Sequence, residues 1–138
     1  GWRSWLFSRL EPLPLTPALV RRLMVVLLAV TSLLLAGHGG YGAFLAKESL
    51  ARHYAAIGLG GVDGTRLVRL IGAVELTAAV LVLFYPARWL LVGIFGWKLF
   101  TEFLHPIAGS SALETIERGA NYAAPLALLI LMAWLDRT

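Results

Sequence analysis

ALVRRLMVVLLAVTSLLLAG, residues 18–37, is the stretch from which the rest of the chain is read. Its only charges, Arg21 and Arg22, stand near its start, and residues 23–30 are apolar without a break. At a rise of about 1.5 Å per residue, about 20 such residues cross the roughly 30 Å of hydrocarbon in a bilayer. Thr16 followed by Pro17 supplies an N-cap and a first-turn residue for it. Three more stretches of this kind follow at 66–85, 87–105 and 116–135. Pro86 and Pro106 end the second and third, and Pro125 inside the fourth predicts a local kink. The very short link between the second and third predicts an antiparallel hairpin. The expected fold is all-α, a transmembrane four-helix bundle running up-down-up-down.

Composition agrees with a chain immersed in lipid. Of 138 residues, 59% are hydrophobic and only 14% charged, where soluble domains carry roughly 25%; mean hydropathy is +0.76. The four spans leave no room for a separate catalytic domain. There is no cysteine, which excludes disulfides, Cys-ligated iron–sulfur clusters, c-type haem attachment and thiol redox chemistry. The net charge of +4 does not point to nucleic acid, because the Lys and Arg residues gather at the ends of apolar runs, as membrane flanks do.

Outside the spans the chain divides simply. Residues 1–17 read as an interfacial anchor and a proline-rich connection, with Trp2, Trp5, Leu6 and Leu10 at helical spacing around Arg3 and Arg9. Residues 18–138 form the four-helix domain. Between spans one and two, residues 44–57 put Leu50, Tyr54 and Ile57 on one helical face and Lys47, Glu48 and Arg52 elsewhere, the pattern of an amphipathic surface helix. His53 on this segment reads as solvated. Flanking charges set the orientation: Arg3, Arg9, Arg21, Arg22, Arg88 and Arg137 against Lys47, Arg52, Arg66, Arg69 and Arg118. Four of the first set stand before or at the start of the first span, so both termini are expected to be cytoplasmic.

The polar residues inside the spans carry the functional information, since a charge at the centre of a bilayer costs at least about 2.5 kcal/mol. Glu75 shares a helical face with Gly72, Ala78 and Ala79, and so points into the bundle. Lys98, Glu102 and His105 fall on one stripe of the third span, with Gly93 and Gly96 near it. Asn121 begins the fourth span and His38 ends the first. In an up-down-up-down bundle Glu75 lies about 13 Å inside Arg66, Lys98 about 10 Å inside His105, and Asn121 about 6 Å inside Glu117. All of them fall in one leaflet, so the expected feature is a polar pocket open toward one face and closed on the other. Glu75 and Lys98 are the ion pair expected by depth, and Glu102 is expected to meet Lys98 or a histidine.

The candidate cluster is therefore His38, Glu75, Trp97, Lys98, Glu102, His105 and Asn121, with no catalytic constellation and no metal site. It fits buried hydrogen bonding that holds helices together, a site for the polar head of a quinone or lipid, or a proton relay. His38 and His105 supply the minimum for bis-imidazole haem ligation, without any spacing specific to haem. Trp2, Trp5, Tyr85, Trp89, Tyr122 and Trp134 sit near span ends as an aromatic belt. Trp97 is deeper, beside Lys98, placed to pack on a ring or on the neighbouring helix.

AGHGG at 36–40, KESLARHYAAIGL at 47–59 and LIGAVEL at 70–76, the last with its Gly-x-x-Glu signature at Gly72 and Glu75, resemble the DoxX-like family of small four-helix integral membrane proteins. The resemblance spans roughly residues 23–131. It implies a multi-pass protein of the bacterial cytoplasmic (inner) membrane, tied to membrane redox systems, because one branch of the family resembles the quinone-linked subunit of thiosulfate oxidation. Other members are linked to oxidative-stress complexes in which thiols matter, a role the absence of cysteine does not favour here. By the same resemblance Glu75 and His38 are the positions to test first. The expected function is an accessory subunit, without catalysis of its own, of a larger redox or energy-transducing complex. Its expected partners are the lipid bilayer and other membrane subunits, with no cofactor beyond a quinone or bound lipid. The alternative is a quinone-interacting oxidoreductase component, DoxX/DoxD-like, with Glu75, Lys98 and His105 around the ring oxygens. A small transporter is disfavoured because half of every span is apolar.

Overall fold

A computed structural model describes residues 1, 2, 4 and 14–138. The interfacial helix expected over the first ten residues falls largely on positions outside the described ones. Among the described residues the chain is helical, with no strand. The elements are α1 (Pro17–Ala43), α2 (Glu48–Tyr54) running into a π-helical turn at Ala55–Leu59, α3 (Gly64–Phe84), α4 (Arg88–Ile107), α5 (Ala112–Glu117) and α6 (Ala120–Leu135). Among the described residues α1, α3, α4, and α5 with α6 over Ala112–Leu135 are long and apolar enough to cross a membrane. This is the build of a multi-pass membrane protein.

α1 begins as its sequence dictates, with the Thr16 hydroxyl accepting from the Leu19 N–H at 3.2 Å. It ends later than the glycines at its tail lead one to expect, running through Gly37, Gly39, Gly40 and Gly42 to Ala43. Each glycine costs a helix about 1 kcal/mol relative to alanine, and packing against α3 supplies the offset. A Cβ added to Gly39 would stand 2.8 Å from the Gly72 carbonyl oxygen, and one on Gly42 would stand 2.9 Å from that of Val68. Gly72 is equally confined, by the backbone of Gly39, Gly42 and Ala43. The two helices thus touch backbone to backbone, as small residues permit between helices in lipid. Further along, the Ser32 hydroxyl donates to the Ala79 carbonyl at 2.9 Å.

Asp63 caps α3, accepting from Thr65 and Arg66 N–H groups at 3.1 and 3.3 Å. Helix α4 continues to Ile107, past the proline expected to stop it. Pro106 has no N–H to give the carbonyl four residues back, and that carbonyl, on Glu102, accepts instead from the Thr115 hydroxyl at 2.9 Å. The fourth span is two helices, divided at Arg118 and Gly119 and joined across the break by the Tyr122 hydroxyl donating to the Thr115 carbonyl at 3.2 Å. At the other end of the bundle Arg88, opening α4, is ion-paired with Asp136 after α6.

α1 packs between α3 and α6, and α4 packs on α6 and α5. The consecutive helices α3 and α4 scarcely touch, although only residues 85–87 join them. The small-residue face of α3 is already taken by α1, so a groove opens between α3 and α4. Leu35, Ala79, Val82, Leu91, Ile94 and Leu128 form the main core. Tyr54 with Val68 and Leu104 forms a second, smaller one that ties α2 to the bundle. Ile57, expected on the same face as Leu50 and Tyr54, is exposed, because the backbone leaves helical geometry there and Gly58 follows at φ +91°. Outward-facing Val25, Val26, Leu33, Leu70, Val80, Val92 and Ile130 are all more than half exposed, a surface suited to acyl chains rather than water.

Candidate functional site

The polar residues of the spans lie inside the bundle, in two adjoining clusters. The first is built on Glu75, which is 2% exposed. Its Oε1 accepts from Lys98 Nζ at 2.7 Å and from Trp97 Nε1 at 2.8 Å, and its Oε2 lies 2.6 Å from His38 Nδ1. One carboxylate therefore gathers side chains from α1, α3 and α4. An ionised carboxylate only accepts, so His38 donates from Nδ1. Glycine at 39 makes room for this arrangement, since a Cβ there would stand 3.0 Å from the Cβ of Glu75. Paired and hydrogen-bonded in this way, the carboxylate and the Lys98 ammonium are tolerated where lone charges would not be.

The second cluster is built on Glu102 and His105, both buried. Glu102 Oε1 accepts from Asn121 Nδ2 at 2.5 Å. Its Oε2 has no hydrogen-bond partner and lies 3.6 Å from His105 Nε2. Lys98, the alternative partner expected for Glu102, turns instead to Glu75. His105 Nε2 faces Arg118 at 3.1 Å; the guanidinium only donates, so Nε2 is the acceptor and Nδ1 carries the proton. That Nδ1 is 3.1 Å from Glu114 Oε2 but out of line for a hydrogen bond.

Two residues outside the expected cluster belong to its surroundings. The His53 ring stands edge-on to His105 at 4.3 Å between centroids, so it is not merely a solvated residue. Burial lowers the pKa of His53 below its ordinary 6.5, and the neighbouring His105 and Arg118 lower it further. Burial also pushes the Tyr54 phenol up, with the Glu75 charge adding to the effect. A hint of this was present in the sequence: His53 adjoins Tyr54, expected on the apolar face of its helix, and Arg118 lies three residues before Asn121.

Two spaces open beside these clusters. One, of about 990 Å³, is lined by His38, Lys47, Arg52, His53, His105 and Arg118 among others, and opens between the end of α1, α2 and the end of α4. The other is the groove between α3 and α4, of about 360 Å³. Leu70, Val74, Ala78, Leu90, Gly93 and Ile94 line it together with Glu75 and Trp97. His38 thus borders the polar cavity while its partner Glu75 borders the apolar groove. His38 and His105, the two histidines named as the minimum for haem ligation, both line the polar cavity, and Nε2 of His105 faces Arg118.

Compared with known protein families, with curated proteins and with solved structures, the chain shows no match.

Proposed function

We propose that the chain is an accessory subunit of a larger membrane redox or energy-transducing assembly, and that it contributes a lateral site for a lipid-soluble, carbonyl-bearing ligand of the quinone class. The observation that carries the reading is the groove between α3 and α4. It is lined mostly by apolar side chains, its volume of about 360 Å³ falls within the range usual for small-molecule sites, and its wall includes a carboxylate and an indole, Glu75 and Trp97.

Lys98, buried behind the groove, gives one of its donors to Glu75. Glu75 accepts three hydrogen bonds out of about four lone-pair positions. Trp97 offers a ring face for stacking. Reduction of a quinone requires two electrons, which in this reading come from a redox centre of a partner subunit, and two protons. The Glu75–His38 pair, bordering both the groove and the polar cavity, is positioned to pass protons between them. Residence in a bacterial cytoplasmic membrane, with alternating spans and cytoplasmic termini, belongs to the same reading. It is supported by the likeness of AGHGG and Gly-x-x-Glu to DoxX-like proteins and by the arginines that precede α1.

The test is purification from native membranes in mild detergent, followed by lipid extraction. The expected outcome is co-migration with larger subunits and a near-stoichiometric quinone. Gly93→Leu fills the groove where a Cβ meets no atom within 4 Å, so it should remove the quinone and leave the fold intact. A wild-type protein that migrates alone and carries no quinone sinks the reading.

A second reading rests on the pairing of both oxygens of Glu75: the network then acts only as a clamp between helices. Under it, Gly93→Leu changes nothing that can be measured in the assembly.

A further inference from the structure

The groove leaves the larger space, the cavity of about 990 Å³ at the α2 end of the bundle, without a role. Its lining is unusual in sign. Lys47, Arg52 and Arg118 face it, against the single carboxylate of Glu114, which leaves an excess of two positive charges. The neutral polar groups also point toward an acceptor-rich ligand. Arg118 fixes His105 in the tautomer that carries its proton on Nδ1. That atom is buried, with the Glu114 carboxylate 3.1 Å away but out of line for a hydrogen bond, and it stands behind the cavity wall. The hydroxyls of Ser49 and Ser110 add two further donors.

From this charge and donor set we infer that the cavity binds a phosphate-bearing anion, with Arg52 and Arg118 as its principal contacts and Lys47 beside them. A phosphate monoester or free phosphate carries a charge of about −1.5 to −2 near neutral pH and a phosphodiester headgroup about −1, both within the positive excess on the wall, and arginine presents paired donors suited to their oxygens. The phosphate has two possible sources, the headgroup of an anionic lipid or a free anion from the aqueous side. The inference is independent of any ligand in the groove between α3 and α4.

The experiment uses the whole chain in nanodiscs. Inorganic phosphate is titrated calorimetrically into discs of phosphatidylcholine, and native mass spectrometry records which lipid is retained from discs of mixed phosphatidylcholine and phosphatidylglycerol. Wild type is expected to bind phosphate, to retain phosphatidylglycerol, or both. Arg52→Gln and Arg118→Gln should each weaken that binding about tenfold, the equivalent of one charge-assisted hydrogen bond. Arg52 is exposed, so its replacement leaves the core untouched, and circular dichroism checks helicity for both variants. Arg69→Gln, an exposed arginine outside the cavity lining, should change neither readout. Phosphate binding that phosphatidylglycerol suppresses identifies the lipid headgroup as the source; phosphate binding indifferent to it identifies a free anion. Failure to bind either one, or an equal loss in Arg69→Gln, overturns the inference.

Discussion

Lys98 reaches Glu75 at 2.7 Å between two helices that scarcely touch elsewhere. With the Trp97 Nε1–H, which reaches the same oxygen at 2.8 Å, the pair links α3 and α4, and it is almost completely buried, with the two side chains 1% and 3% exposed. Breaking a buried pair from one side strands the other charge.

Lys98→Met is accordingly expected to destabilise the bundle by about 3–5 kcal/mol, whereas adding Glu75→Leu to it should recover much of the loss. Unfolding in detergent micelles followed by circular dichroism measures both. If the double variant is no more stable than the single one, the lysine does not act through Glu75.

Glycines of α1 and α3 should differ in sign. Gly72→Ala drives a methyl into the backbone of Gly39, Gly42 and Ala43, and overpacking of this kind costs about 1–3 kcal/mol. Gly37→Ala meets no atom within 4 Å and should stabilise the helix by about 0.5–1 kcal/mol. Equal effects of the two substitutions would show that α1 and α3 are not in backbone contact.

Thr115 and Pro106 form a thermodynamic cycle. Thr115→Val removes the donor from the Glu102 carbonyl that Pro106 leaves open, at a cost of about 1–3 kcal/mol. In a Pro106→Ala background the helix supplies its own N–H to that carbonyl, and the same substitution should cost distinctly less. The coupling energy from the four proteins reads this directly.

His53 makes stability depend on pH. Its pKa is lowered in the folded state by burial, then by His105 and Arg118, so the folded protein prefers the neutral ring. The sign follows from linkage: the contribution is present above the unfolded value of 6.5 and is lost as pH falls through the lower folded value. Melting temperature should therefore decline below about pH 6.5, and His53→Gln should flatten that part of the profile. An unchanged profile in the variant would assign the decline to other groups.

Much of the site was legible because depth in a regular helix is arithmetic. A constant rise per residue brought Glu75 and Lys98 to one level, and helical periodicity turned Glu75 toward the small residues of its own helix. Which partner Glu102 takes was not legible. Lys98, four residues away on the same helix, competes with Asn121 from α6, and only the packing of α4 on α6 gives the pair to Asn121. His53 and the cavity arginines read as solvated or flanking charges, because a local sequence carries no record of what α2 folds against.

The amino-acid sequence by itself determined that the chain is helical and that four of its stretches can cross a membrane, because apolar run length and periodicity are local properties. It also determined which ionisable groups would need partners. Tertiary structure alone decided that α1 continues through its glycines and that α4 passes Pro106. It likewise decided that α3 turns from α4 toward α1, leaving the groove open. In each case contacts with distant helices decide against the local expectation, which for a glycine is about 1 kcal/mol and for a proline about 3 kcal/mol, and such contacts are not written in any single stretch of chain.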